Sequence, residues 1–401
     1  MRLYKITVIL ALILFFSGCH INQTGLTRVN EEFLENEQQQ DKNQIEPVQE
    51  PIVSVDSIII PETKVTESVD IHRPAESTPL EKLLSEIASN IEKLNEDFTI
   101  TIEGLTQVDI SNAELLEHFP ELRKVHWSGT FYSDYAIIEM SIKISMEYRI
   151  LSAYRTRRIG LLSTDEKQVL DVVLNVIHNK ISSDMSDYEK ELAIHDYIVM
   201  NCTYDSVNHN NDNNTIPDTS YTSYGALVLG AAVCQGYSSA FKLFMNMLNI
   251  ECDIITGQAG GESHAWNRVK IDGDYYLVDV TWNSSISKAK SNNRVHYDFF
   301  NLTDEAMNAS HTPNKPQTKV ANSTRYNYFY YNNLVVSSKN DFLAVLQDTL
   351  DKGENYVYVL YENIDLLEFI ESQDIFQYLG GKSSIQYSFS DKVNTLYLQF
   401  E

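Results

Sequence analysis

The sequence predicts an α+β protein with a central domain at 155–315 and a small α/β unit on either side, at 79–150 and 320–401. Three observations carry this. Behind Cys234, the residues Tyr237, Ala240, Phe241, Phe244, Met247 and Leu248 recur at the period of a helix. His264 to Ile271 and Tyr275 to Trp282 read as two strands about Asp272-Gly273, a dipeptide that favours a two-residue hairpin turn. The two flanks share, by pattern alone, a loose order of helix, strand, helix and two strands. The 401 residues allow two or three domains at roughly 100–200 residues each. A content of 43% hydrophobic and 11% aromatic residues is enough to fill their cores.

The chain opens on an export signal rather than a fold element. Arg2 and Lys5 form a basic head, Ile6 to Phe16 is an apolar run broken only by Thr7, and Phe16-Ser17-Gly18-Cys19 places small residues before a cysteine. The run falls short of the roughly 20 residues that a spanning helix needs. Its end resembles a bacterial lipobox, which implies cleavage after 1–18, lipid on Cys19 and a protein held at the extracytoplasmic face of the cell membrane. Residues 19–78 then read as a disordered acidic tether. Between 20 and 77 there are twelve acids against four bases, one aromatic residue and four prolines, too little apolar surface to offset the entropy of ordering.

In the first flank, Leu80, Leu83, Leu84, Ile87, Ile91 and Leu94 keep helical spacing. Phe98 to Ile102 alternates as a strand, Asn112 to His118 is a short helix closed by Pro120, and Val125 to Phe131 and Ile137 to Tyr148 read as strands. In the centre, Tyr188 to Cys202 is a helix with Leu192, His195, Ile198 and Val199 on one face. His195 is expected to be a core histidine bonded to backbone. Ile254 to Gly257 is a short strand. In the last flank the expected order is a helix about 342–350, a strand Tyr356 to Tyr361, a helical stretch Leu366 to Tyr378, and strands Ile385 to Phe389 and Thr395 to Phe400.

Chemistry concentrates in the centre. Cys234 opens a predicted helix, and the positive end of a helix dipole favours thiolate over thiol. With Asp272-Gly273 as a two-residue turn, Trp266 faces Asp279 and His264 faces Thr281. His264 and Asp279 are then diagonal neighbours on one face, roughly 7 Å apart at the backbone and near enough for carboxylate to meet imidazole. The expected roles are nucleophile for Cys234, general base and acid for His264, and orienting carboxylate for Asp279. The Cys234 N–H is one oxyanion donor. A second would come from a backbone group or from Tyr221 or Tyr224; Gln235 and Trp266 are further candidates for substrate contact.

Tyr224-Gly225-Ala226-Leu227, Val233-Cys234-Gln235-Gly236-Tyr237, His264-Ala265-Trp266-Asn267 and Tyr276-Leu277-Val278-Asp279-Val280-Thr281-Trp282 resemble the core of bacterial transglutaminase-like proteins. The order Cys, His, Asp fits that superfamily, and Tyr297 to Asn301 before Leu302-Thr303-Asp304 resembles the segment that follows its core. The resemblance implies a papain-like α+β fold, with the Cys234 helix packed on an antiparallel sheet, and a Cys234, His264, Asp279 triad. It implies acyl transfer through a thioester, by a cysteine peptidase or amidase or by a cross-linking acyltransferase, and it also admits members that only bind. Hydrolysis is favoured, because an extracytoplasmic site meets water at high concentration. Asn283 departs from the acid commonly seen there, which points to an effect on packing or substrate contact.

A formal charge of −25 repels phosphate backbones, so nucleic acid is not an expected partner. The expected partners are a protein or peptide substrate in the cell envelope and, through Cys19, the membrane. No histidine pair stands at helical ligand spacing and Cys202, Cys234 and Cys252 form no CxxC pair, so neither a metal nor another cofactor is expected. Whether Cys202 and Cys252 pair stays open.

Overall fold

The protein is described by a computed structural model that covers residues 78–206, 216–289, 294–372 and 374–401, together with the backbone of 25–28. The expected export signal, Cys19 and the rest of the expected tether lie outside the described residues. Gly25–Arg28, inside the stretch expected to be disordered, is instead a strand (β1) paired parallel to Ser384–Tyr387. An open sheet edge recruits a chain through backbone hydrogen bonds, which need no apolar side chains.

The elements follow in chain order. α1 (Pro79–Glu92), β2 (Asp97–Glu103), α2 (Asn112–His118), β3 (Leu122–Phe131) and β4 (Tyr135–Ile144) come first. α3 (Met146–Arg155), α4 (Thr164–Lys180), α5 (Asp187–Asn201), β5 (Thr203–Tyr204) and β6 (Ala231–Ala232) lead to the Cys234 helix, α6 (Cys234–Met247). Strands β7 (Cys252–Ala259), β8 (Glu262–Ile271) and β9 (Asp274–Val278), helix α7 (Val280–Ala289) and strand β10 (His311–Pro313) complete the centre. β11 (Val335–Val336), α8 (Lys339–Asp351), β12 (Tyr356–Tyr361), β13 (Ser384–Ser390) and β14 (Thr395–Phe400) close the chain.

Two compact units emerge. The larger runs to Val335 and includes 390–395; the smaller takes 25–28 with Val336–Phe389 and Leu396–Glu401. In the larger unit, α6 lies against a four-stranded antiparallel sheet of order β10-β7-β8-β9. This is the expected α+β, papain-like arrangement. Tyr237, Phe241 and Phe244 on α6 are fully buried in a core that runs from Leu83 in α1 to Tyr326. The first flank is therefore continuous in packing with the centre, and the boundary expected near 150 is not a break in the core. The larger unit also holds a second antiparallel sheet, β2-β4-β3.

In the smaller unit the strand order is β1-β13-β14-β12-β11 around a core that includes Phe342, Val359 and Phe400. In both flanks the first of the three shared strands lies next to the third, in β2-β4-β3 and in β12-β14-β13. The loose repeat in the sequence thus has a shared strand order.

Three expectations are corrected. The strand expected to reach Tyr148 stops at Ile144, because Ser145 accepts the Tyr148 N–H and starts α3. The strand expected to reach Trp282 stops at Val278 and α7 follows. Leu366 to Tyr378 forms two short helical pieces, Leu367–Glu371 and Asp374–Tyr378. The hairpin register is as expected: Asn267 faces Val278 and Ile271 faces Asp274. Asp272 and Gly273 have φ of 49° and 92°, the positive values that a type I′ turn requires.

Candidate active site

Cys234 stands at the first position of α6 because the chain arrives there extended and tightly held. β5 and β6 pair in parallel, with Tyr204 opposite Ala232, and the Val233 N–H donates to the Ser220 carbonyl at 3.0 Å. Ser220 Oγ in turn donates to Asp205 at 2.6 Å. Gly236 permits this approach: a Cβ there would lie 2.5 Å from the Ser220 carbonyl oxygen. The residue before the helix is Val233, which offers no side-chain cap. The first-turn N–H groups are thus left without a side-chain acceptor from the cap position, and their dipole faces the thiol.

Buried polar contacts then fix α6 on the sheet. Ser238 Oγ donates to the Ala265 carbonyl at 3.0 Å, and Asn267 Nδ2 donates to the Ser238 carbonyl at 3.0 Å. Both contacts lie just after His264 on β8 and pin that strand to the first turns of α6. The Cys234 thiol is near enough to the His264 ring to favour its charged form. On the other side of the ring, His264 Nε2 donates to Asp279 Oδ2 at 2.8 Å, which leaves Nδ1 for the sulfur.

Asp279 is fully buried, and it does not sit in a strand pair as expected. It stands where β9 gives way to α7, and its Oδ1 accepts the Trp282 N–H at 3.1 Å in the manner of a helix N-cap. The carboxylate therefore caps a helix with one oxygen and holds the imidazole with the other. Burial raises its proton affinity, but the charge of His264 and hydrogen bonds from His264 and His311 more than reverse this and hold the carboxyl well below the usual range. For His264, burial disfavours the cation, while Asp279 and Cys234 together push the ring up to about 10. The imidazole thus stays protonated at neutral pH, which is the charge a neighbouring thiolate needs.

The other predicted residues divide. Trp266 is buried, stacks on His264 with ring centroids 6.2 Å apart, and has an indole Nε1 without a partner among the described residues. Gln235 Nε2 turns along its own helix to Ser239 Oγ at 3.3 Å, and Tyr224 packs against the large core. Tyr221 is exposed. Cys202 and Cys252 are free and buried; burial pushes the Cys202 thiol up to about 11 and raises that of Cys252 as well. Cys234 is the partly exposed thiol of the three.

His195 is a core histidine, but its partners are side chains rather than backbone. Its Nδ1 meets Asp196 at 3.0 Å, and its Nε2 accepts from Asn283 Nδ2 at 2.9 Å. Asn283 also accepts the Phe299 N–H at 2.9 Å. The departure at Asn283 is thus a matter of packing, tying α7 to α5.

Sequence reasoning missed two residues. His311 on β10 donates from Nε2 to Asp279 Oδ2 at 3.1 Å; it lies beyond the motif segments, and no periodicity marks it. The Tyr204 phenol is raised by burial and then by the charges of Cys234, Glu262, Tyr221 and Asp279, and β5 carries it opposite Ala232, two residues before the thiol. Its signal was its position just after a helix, beside the strand that leads to Cys234. His264, Asp279 and His311 offer three ligand atoms within 4.8 Å of one another. Those atoms already serve a hydrogen-bonded proton network, and all three residues are nearly or fully buried. The donor set therefore fits proton handling better than a resident ion.

The middle of the chain matches the transglutaminase-like superfamily. The match to that family model spans residues 175–280, the segment that contains Cys234, His264 and Asp279. Kyphoscoliosis peptidase of Mus musculus is 28% identical over 88 residues, which are 18% of this chain and 13% of that protein. The chain thus spans a small part of this curated relative. Among solved structures, one described as a TGase overlaps 46% of this chain and 51% of its own at 19% identity, with a TM-score of 0.27. Another, described as "a Putative Cysteine Protease from Cytophaga hutchinsonii", overlaps 46% of this chain and 64% of its own at 14% identity, with a TM-score of 0.23.

Proposed function

We propose that the protein is a thiol acyl-transfer enzyme that cleaves or transfers amide bonds of proteins or peptides at the cell envelope. The observation that carries the reading is the His264 ring held by the buried Asp279 at 2.8 Å, with the Cys234 thiol near enough to favour the charged ring.

In the reaction, the Cys234 thiolate attacks an amide carbonyl while His264 holds the proton. The oxyanion that forms is met by the Cys234 N–H at the uncapped start of α6. His264 then gives its proton to the departing amine, leaving a thioester on Cys234. His264 next takes a proton from water, or from an incoming amine, as that nucleophile attacks the thioester. The thiolate leaves and the imidazolium is restored. Asp279 stabilises the cation at each stage and keeps the ring turned toward sulfur. Water gives hydrolysis and an amine gives a cross-link; the unprotected access to water expected outside the cytoplasm favours the first.

Casein provides both tests, as a substrate for cleavage and as an acyl donor for incorporation of a fluorescent primary amine. The active protein releases casein fragments or incorporates the amine, and Cys234→Ala lowers that activity at least about 1,000-fold while the fold is retained. Activity that survives the substitution refutes the assignment.

A further inference from the structure

His311 has no part in the triad just described, yet its placement is the most constrained polar arrangement near it. His311 is 1% exposed. Its Nε2 lies 3.1 Å from Asp279 Oδ2, the same oxygen that receives His264 at 2.8 Å. Its Nδ1 lies 2.8 Å from Ser310 Oγ. If the serine hydroxyl donates to Nδ1, the ring proton must sit on Nε2 and point at the carboxylate.

The fold delivers His311 there through a glycine. β10 pairs with β7, with Thr312 opposite Gln258 and Pro313 opposite Gly257. A Cβ at Gly257 would lie 2.2 Å from the Thr312 carbonyl oxygen and 2.7 Å from the Trp266 ring, so this strand approaches closely only where the side chain is absent. The His311 ring is then boxed by Trp266 at 4.9 Å, Trp282 at 4.6 Å and Phe299 at 5.7 Å between centroids. A polar ring enclosed by aromatic faces, with both nitrogens satisfied, cannot easily turn away from its acceptor.

We propose that His311 is a positioning residue of the catalytic group, holding the carboxylate of Asp279 between two imidazoles so that His264 stays aimed at Cys234. The inference rests on the proposed function for its purpose. Oδ1 of Asp279 is committed to the Trp282 N–H, so His311 is the second side-chain anchor on Oδ2. Without it, a fully buried carboxylate loses a donor and can rotate about its remaining bonds, and the His264 ring loses its fixed partner.

The test compares the full chain with His311→Phe, which keeps an aromatic ring in the box, and His311→Gln, whose amide restores a donor near the position of Nε2. Two readouts need no substrate: the rate of Cys234 alkylation by iodoacetamide at pH 7, followed by mass spectrometry, and the downfield proton NMR signals of buried imidazole N–H groups. The wild type should show two such signals from the Asp279 network. His311→Phe should lose one, broaden the other through exchange with water, and alkylate at least tenfold more slowly. His311→Gln should recover a sharp His264 signal and a rate within about threefold of wild type. If His311→Phe melts like the wild type and keeps both its alkylation rate and the His264 signal, the proposal is overturned. It is equally overturned if the glutamine variant, melting normally, fares no better than the phenylalanine one. Should wild-type Cys234 react no faster than Cys202 and Cys252, the enzymatic reading fails, and the NMR comparison still decides the role of His311.

Discussion

Glu191 shows how strongly a single buried group can bind the fold to pH. It is fully buried on α5 with one oxygen accepting from Asn301 Nδ2 at 2.9 Å and the other without a partner among the described residues. Burial, with a smaller contribution from Asp187, pushes its carboxyl up to about 8 against the opposing hydrogen bond. The folded state therefore holds a proton that the unfolded chain has released, and stability falls as pH rises from the ordinary carboxyl value of 4.5 to about 8. Glu191→Gln removes that slope and should stabilise the protein at pH 8.5 by on the order of 1–3 kcal/mol, with little gain at pH 4.5. Urea denaturation at the two pH values checks this; an equal effect at both would contradict the assignment. Glu191 looked in the sequence like any helix-surface acid, because burial at one position depends on what folds over it.

At the scale of elements, the legible features were those fixed by neighbours in the chain. Asp272-Gly273 specified its own turn, the turn specified the register of β8 and β9, and the register brought His264 and Asp279 near each other. The boundary at Val278 was hidden because Val280, Thr281 and Trp282 favour strands by composition. The capping capacity of Asp279 overrode that preference, a signal present in the sequence but masked by the alternation around it. α4 was not anticipated, although Ser163 and Glu166 form a capping box at its start. What the sequence could not expose was non-local: the docking of β10 on β7, and with it His311, depends on a meeting across more than 50 residues that no spacing rule reports.

For the whole molecule, the export signal and lipid anchor expected from the sequence would set where this chemistry operates. The described residues include no helix long and apolar enough to cross a membrane; the lipidation expected at Cys19 lies outside them. In a bacterial host, the full chain should take up an alkyne-tagged fatty acid, and Cys19→Ala should abolish the label; a labelled alanine variant would contradict lipidation at that residue. The central claim, that Cys234 and His264 form a working pair, is tested most directly by alkylation of the native protein with iodoacetamide at pH 6. The account predicts that Cys234 is modified at least about 100-fold faster than Cys202 and Cys252, and that His264→Ala removes the difference. Equal reaction of the three thiols, or a Cys234 rate unmoved by loss of the imidazole, would contradict it.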